Sequence, residues 1–223
     1  MNSRVPPSDV PLRRHTLVTL TAHGWAALLA GDASLAGEPL VRTWAERGWP
    51  LVVRRALPGD AAVPLGLPLP PSAGKRRIAV TVARDALASA CPPPALDATL
   101  DVAPSAWRPT LAELHALGER CGAPGRVFGS LAWQALTGLT YLSATSDLDV
   151  LFPLPRATCV AVLLEGVAAI DARAPMRVDG ELVRDDGAGV NWRELHARLP
   201  EVAVKTAADV ELCAADDFLG AAR

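Results

Sequence analysis

The sequence predicts an α+β fold in two parts, a small N-terminal α+β domain over residues 1–95 and a second domain over residues 96–223. Three observations predict it. Half of the 223 residues are apolar, enough to bury a substantial core. Short β-branched or apolar runs, the mark of strands, alternate with runs of helical period. Proline gathers at seams, first at Pro64, Pro68, Pro70 and Pro71, then at Pro92, Pro93 and Pro94 with Pro104 and Pro109 following. Both clusters read as extended linker or loop, and a domain boundary falls between about Asp85 and Pro109.

The elements follow in order. Arg14–Leu20 reads as a strand, Trp25–Leu29 as the start of a short helix, and Leu51–Arg55 as a strand with a turn at Pro58-Gly59 behind it. Arg77–Val82 is β-branched and apolar, hence a strand. Thr110-Leu111-Ala112-Glu113 has the form of a capping box, and Leu111, Leu114 and Leu117 then share one face of a helix that fades at Gly118. Arg126–Phe128 is a short strand leading into Gly129-Ser130, and Leu131–Leu136 a helix ending near Gly138. Ser146–Phe152 is a strand, Thr158–Ile170 an apolar helix, and Met176–Val183 a strand. Asp185-Asp186-Gly187 turns the chain into a partner strand at Gly189–Trp192. Asn191-Trp192-Arg193-Glu194 caps a helix through Leu199, and Val202–Lys205 with Val210–Cys213 forms a closing hairpin.

Composition excludes several classes. A net charge of −2 argues against a broad basic surface for nucleic acid. No apolar run follows the N-terminal Arg and Pro residues as a signal peptide requires, and none is long enough to span a membrane. The four cysteines show no C-x-x-C or zinc spacing and read as reduced thiols in a cytoplasmic protein. The four histidines form no H-E-x-x-H pattern, and neither His115 nor His196 has a sequence partner that makes it a base.

The segment Ser146-Asp147-Leu148-Asp149-Val150-Leu151-Phe152 carries the chemistry. Side chains alternate along a strand, so Asp147 and Asp149 share one face and Leu148, Val150 and Phe152 the other. The two carboxylates are spaced to converge on one or two magnesium ions. Taken alone, the pattern also describes the wet face of an edge strand. Two like charges on one strand face repel without a cation, however. Gly129-Ser130, between a short strand and a helix, lets backbone approach a phosphate and aims helix N-terminal amides at it. Ser130 alternatively serves as a helix N-cap.

Val127-Phe128-Gly129-Ser130 followed by Asp147-Leu148-Asp149 resembles the G-S…D-x-D signature of the polymerase-beta-like nucleotidyltransferase superfamily. That resemblance implies a nucleotidyltransferase domain with a mixed sheet and a third carboxylate on a later strand. Asp179 and Glu181 are the candidates, and Asp179 is favoured because it stands on the strand ahead of Gly180. A closer resemblance covers nearly the whole chain. Phe128–Gly138, Tyr141-Leu142-Ser143, Thr145–Asp149, Pro50–Arg55, Gly66–Ile78 and Val190–Glu194 are similar to the malonate decarboxylase holo-acyl-carrier-protein synthases, which are phosphoribosyl-dephospho-CoA transferases.

This resemblance implies the substrate 2′-(5″-triphosphoribosyl)-3′-dephospho-CoA, a serine of the malonate decarboxylase acyl carrier protein as acceptor, and pyrophosphate as product. Asp147 and Asp149 would hold Mg²⁺, two ions in this reading, with Asp179 as the third catalytic acid. Gly129 and Ser130 would hold the β- and γ-phosphates. Neither nucleic acid nor membrane is an expected partner. Gly74-Lys75-Arg76-Arg77 is no P-loop, because Arg follows the Lys where Ser or Thr belongs. Lys75 and Arg76 are candidates for substrate phosphate or carrier, and Lys205 for the triphosphate; each also reads as an ordinary exposed cation. Trp133 either lines the site or packs in the core. The rival readings are an ATP-dependent nucleotidyltransferase acting on a small molecule or another protein, and a non-catalytic module that docks on a carrier.

Overall fold

The computed structural model describes residues 11–55 and 62–220, and the expected turn at Pro58-Gly59 lies outside them. The architecture is α+β, as expected. It comprises two compact units. The first runs to Pro93 and adds Leu136–Thr140; the second takes Pro94–Ala135 and resumes at Tyr141.

In the first unit, β1 (Leu17–Leu20) is followed by α1 (Ala22–Gly31), α2 (Ala33–Gly37), α3 (Pro39–Arg47), β2 (Leu51–Val53), β3 (Val63–Pro68), β4 (Arg77–Val82) and β5 (Leu87–Cys91). The strands form one antiparallel sheet in the order β4-β3-β2-β1-β5. The helices bury Trp25, Leu35, Val41 and Trp44, each at most 5% exposed. The Trp44 indole N–H donates to Pro50 O (2.9 Å), so the largest buried side chain leaves no polar atom unpaired there.

Several expectations needed correction here. The first strand starts at Leu17, three residues late, because His15 takes φ 68 and turns the chain. The Pro64–Pro68 stretch is not a loop but strand β3, hydrogen-bonded on both sides. Pro64 and Pro68 have the parity of Gly66, which pairs Val52 of β2. Their missing N–H groups thus face the β2 side at positions past its two ends, and no β3–β4 bond is lost. β5 lies just ahead of the Pro92–Pro94 cluster, within the Asp85–Pro109 window given for the boundary. Helix α3 was not foreseen, although Pro39 at its first turn and left-handed Gly48 at its end are start and stop signals.

In the second unit, α4 (Arg108–Arg120), β6 (Arg126–Val127), α5 (Gly129–Thr137), β7 (Leu148–Pro153), α6 (Ala157–Asp171), β8 (Val178–Val183), β9 (Gly189–Asn191), α7 (Trp192–His196), β10 (Glu201–Lys205), β11 (Val210–Ala214) and α8 (Ala215–Leu219) follow one another. The sheet order is β11-β10-β9-β8-β7-β6. It is mixed: β7 and β8 are parallel, with α6 as their crossover, and the other pairs are antiparallel.

Alternation gives this sheet two unlike faces. Leu148, Val150, Phe152, Val178, Leu182 and Val190 are buried in one core with the helices. Helix α6 supplies Val160, Leu163, Leu164, Val167 and Ile170, a single apolar stripe. The Gly180 position faces that core, and a Cβ there would stand 2.5 Å from Val150 O, which is why glycine separates Asp179 from Glu181. Asp149, Asp179, Glu181 and Asn191 share the opposite face.

The capping box at Thr110 is not formed. Helix α4 begins at Arg108, directly after a 3-10 turn at Ser105–Trp107, and Thr110 is buried inside it. Pro109 in the first turn favours that earlier start, and α4 passes Gly118 to end at Arg120. β7 starts at Leu148 and α7 stops at His196, short of Leu199, with Arg198 at φ 54. The turn at Asp185–Gly187 is held by Gly187 N–H donating to Arg184 O (2.9 Å). The Arg184 guanidinium holds the Asp186 carboxyl below the usual carboxylate range through their hydrogen bond. The β10–β11 hairpin forms as expected.

Candidate active site

Strand register explains why the acids meet. On parallel β7 and β8, Asp149 lies opposite Asp179. Their side chains therefore leave the same face of neighbouring strands about 5 Å apart. Asp147 stands just before β7, where Leu148 N–H donates to Arg177 O (2.9 Å) and ties the entrances of the two strands together. One carboxylate oxygen from each of Asp147, Asp149 and Asp179 lies within 4.8 Å of the other two, and all three residues are half-buried.

Three carboxylates this close repel one another unless a cation lies among them. The donors are hard oxygens, the type magnesium selects. In an octahedron with bonds of about 2.1 Å, adjacent oxygens are about 3 Å apart. The three oxygens lie within 4.8 Å of one another and would close further around an ion, so the donor set suits a divalent cation.

The Gly129-Ser130 bend is built against these acids. Phe128 N–H donates to Asp149 O (3.0 Å), and Gly129 opens α5 at φ 63. A Cβ on Gly129 would stand 1.8 Å from Asp149 Oδ2. No other residue fits there, for steric reasons as well as for backbone conformation. Ser130, half-buried, follows in the first turn of α5.

Glu181 is excluded from the trio. It lies one step further along β8, opposite Leu151, and is 4% exposed. Lys205 Nζ on β10 donates to its Oε1 (2.8 Å). Lys205 thus stands on the acid-bearing face of the sheet, engaged with a buried carboxylate. Replacing Lys205 by Met removes the ammonium from a carboxylate that stays inside the protein. Breaking a fully buried pair costs roughly 3–5 kcal/mol, and partial exposure of the lysine brings the expectation to about 2–3 kcal/mol. Urea unfolding of Lys205→Met measures it, and an unchanged midpoint contradicts it.

The remaining candidates are distributed as follows. Lys75 and Arg76 belong to the first unit, in the turn after Pro71–Ala73, with Lys75 at φ 51 and Arg76 paired with Glu38. Trp133 is buried. His196 pairs with Glu165 on the surface (3.3 Å).

Two residues that brace the site's segments escaped the sequence reading. Asn191 donates from Nδ2 to Asp179 Oδ1 (2.9 Å). Its only local signal was that of a helix cap. Gln134 of α5 accepts at Oε1 from the N–H groups of Tyr141 (3.2 Å) and Leu142 (3.3 Å) and donates to Val102 O (3.1 Å). It thereby ties α5, which begins at Gly129, to the segment that leads to Asp147. No sequence pattern marks such a long-range clamp.

Behind the site, Asp171 Oδ1 accepts from Val178 N–H (2.7 Å) and from Arg193 Nη2 (2.9 Å). The Val178 carbonyl accepts from the Trp192 indole (3.1 Å). The entrance of β8 is thus fixed to both α6 and α7. Among the described residues, no helix is long and apolar enough to cross a membrane.

Comparisons with known proteins identify the family. The family model for the phosphoribosyl-dephospho-CoA transferase MdcG C-terminal domain matches residues 95–216, and that for the MdcG N-terminal domain matches residues 13–93. A phosphoribosyl-dephospho-CoA transferase of Bradyrhizobium diazoefficiens is 46% identical over all of this chain and 99% of its own length. One from Xanthomonas euvesicatoria is 39% identical over 89% of this chain and 92% of its own. One from Pseudomonas putida is 30% identical over 75% and 79%. No solved structure gives a significant match. The chain belongs to the phosphoribosyl-dephospho-CoA transferase family and is a transferase enzyme.

Proposed function

We propose that this enzyme transfers the phosphoribosyl-dephospho-CoA group from 2′-(5″-triphosphoribosyl)-3′-dephospho-CoA to a serine of the malonate decarboxylase acyl carrier protein, with release of pyrophosphate. The observation that carries the reading is the meeting of Asp147, Asp149 and Asp179 beside Gly129. That combination of a carboxylate set and a glycine-serine bend supports a polymerase-beta-like nucleotidyltransferase domain. The sequence resemblance carries the identity of the carrier.

In this reaction the carrier serine Oγ attacks the α-phosphorus of the triphosphate. A new P–O bond forms, the bond to the α–β bridging oxygen breaks, and pyrophosphate leaves with its electron pair. Asp179, the third acid, would take the serine proton or hold a second ion beside the other two; a positioned base is worth about 10²- to 10⁴-fold. Asp147 and Asp149 would hold Mg²⁺, which when bound neutralises charge on the triphosphate and the leaving group. Gly129 and Ser130 offer the N-terminal amides of α5 and a hydroxyl to the β- and γ-phosphates. Lys205 stands on the same sheet face as a further phosphate contact. Lys75 and Arg76 serve substrate phosphate or an acidic carrier.

The test mixes purified enzyme, apo carrier, the triphosphoribosyl substrate and Mg²⁺ and reads the intact mass of the carrier. A gain equal to the phosphodiester-linked group is expected. No gain with either Mg²⁺ or Mn²⁺ overturns the proposal, and consumption of labelled ATP without carrier points to a different nucleotidyltransferase. In the same assay Lys75→Glu should raise the KM for carrier several-fold, and an unchanged KM removes that residue from the contact.

A further inference from the structure

Asn191 occupies an unusual double position. It is the N-cap of α7, and its Oδ1 accepts from Arg193 N–H (2.9 Å). Capping needs only that oxygen. The other end of the same amide, Nδ2, donates to Asp179 Oδ1 (2.9 Å). Because one end must accept from an N–H and the other must donate to a carboxylate, the orientation of the amide is fixed by chemistry. The strand register supports the same contact. β9 runs antiparallel to β8 with Asn191 opposite Glu181, which sets its side chain on the acid-bearing face one residue pair from Asp179.

The effect on Asp179 is selective. Oδ1 is engaged by the amide, with Arg177 Nη2 further off at 3.7 Å. Oδ2 has no hydrogen-bond partner among the described residues. A carboxylate on a strand can rotate about two bonds; a bond to one oxygen from a side chain that is itself anchored at its far end removes that freedom. The backbone of Asn191 is held in turn by β8 and by α7, so the anchor is rigid.

We infer that Asn191 is a positioning residue for the proposed cation centre, holding one oxygen of Asp179 so that the carboxylate presents its other oxygen toward Asp147 and Asp149. The inference rests on the carboxylate trio being a divalent-cation site. It acts through Asp179, and Asn191 itself touches neither substrate nor metal. Side chains that orient a metal ligand typically contribute about 10- to 100-fold in affinity or activity.

Serine separates the two duties. It caps a helix about as well as asparagine, yet its hydroxyl is too short to span to Asp179. Mn²⁺ binding to wild-type, Asn191→Ser, Asn191→Ala and Asp149→Asn proteins is followed by the electron paramagnetic resonance signal of free Mn²⁺, alongside urea unfolding and steady-state kinetics. The expected result is a wild-type urea midpoint for Asn191→Ser, a Mn²⁺ affinity weakened about 10-fold or more, and a fall in kcat with little change in the KM for carrier. Asn191→Ala should show the same metal defect together with a lowered urea midpoint. Wild-type Mn²⁺ affinity and kcat in Asn191→Ser would reduce Asn191 to a helix cap and overturn the inference while leaving the cation centre intact. Identical Mn²⁺ titrations for wild type and Asp149→Asn would instead overturn the centre itself, and the role of Asn191 with it.

Discussion

Asp149→Asn is expected to slow the proposed transfer to the carrier by about 10³-fold or more while leaving the fold at least as stable as wild type. The rate effect follows from its place: Asp149 pairs with Asp179 across β7 and β8, and its Oδ2 lies against Gly129. In the proposed phosphoryl transfer, removing one preorganised electrostatic contact costs about 10²- to 10³-fold, and a residue that would hold the metal belongs at or above the upper end. The stability effect has the opposite sign. In the absence of cation the trio is three anionic groups in a space of 4.8 Å, and neutralising one relieves repulsion. Single-turnover intact-mass kinetics and urea unfolding without added metal measure the two quantities. A rate within ten-fold of wild type would remove Asp149 from the reaction, and a large loss of stability would make it a structural residue.

Gly129→Ala is expected to combine both losses. The added Cβ would meet Asp149 Oδ2 at 1.8 Å, and an alanine at φ 63 is strained in any surroundings. The backbone strain alone is worth about 1–3 kcal/mol. Relief requires the start of α5 or the Asp149 carboxylate to move by an ångström or more, and a displacement of that size typically costs about 10²-fold in rate. The urea midpoint and the single-turnover rate should therefore both fall. Because the clash is with Asp149, the rate defects of Gly129→Ala and Asp149→Asn should not add in the double variant. Full additivity would show that Gly129 acts independently of the acid.

The site was legible where its information is local. Alternation along Asp147-Leu148-Asp149 placed both acids on one face, and the glycine before a helix marked the bend. Asp179 and Glu181 were a different matter. They sit two apart on one strand with nearly equal local claims, Asp179 only slightly favoured, and the choice depends on which strand lies alongside. The parallel register sets Asp179 opposite Asp149, while the antiparallel neighbours bring Lys205 to Glu181. Neither pairing is written in the residues nearby.

The fold shows the same division. Helix α6 announced itself through a complete apolar stripe. Strand β3 did not, because its prolines are tolerable only where β2 has already ended, a fact about a partner strand. The capping-box pattern at Thr110 was a correct local rule overridden by the turn at Ser105–Trp107, which starts the helix earlier. Asn191 combined both situations: its cap was readable, and its reach to Asp179 was not.

The crossover between β7 and β8 has one more consequence. Asp149 and Asp179 are separated by a whole helix in the chain and become neighbours only when that helix has docked and the two strands have zipped side by side. An unfolded polypeptide has no such trio. Whatever ligand these oxygens hold binds the native state alone, and by mass action its presence draws the population toward the folded enzyme.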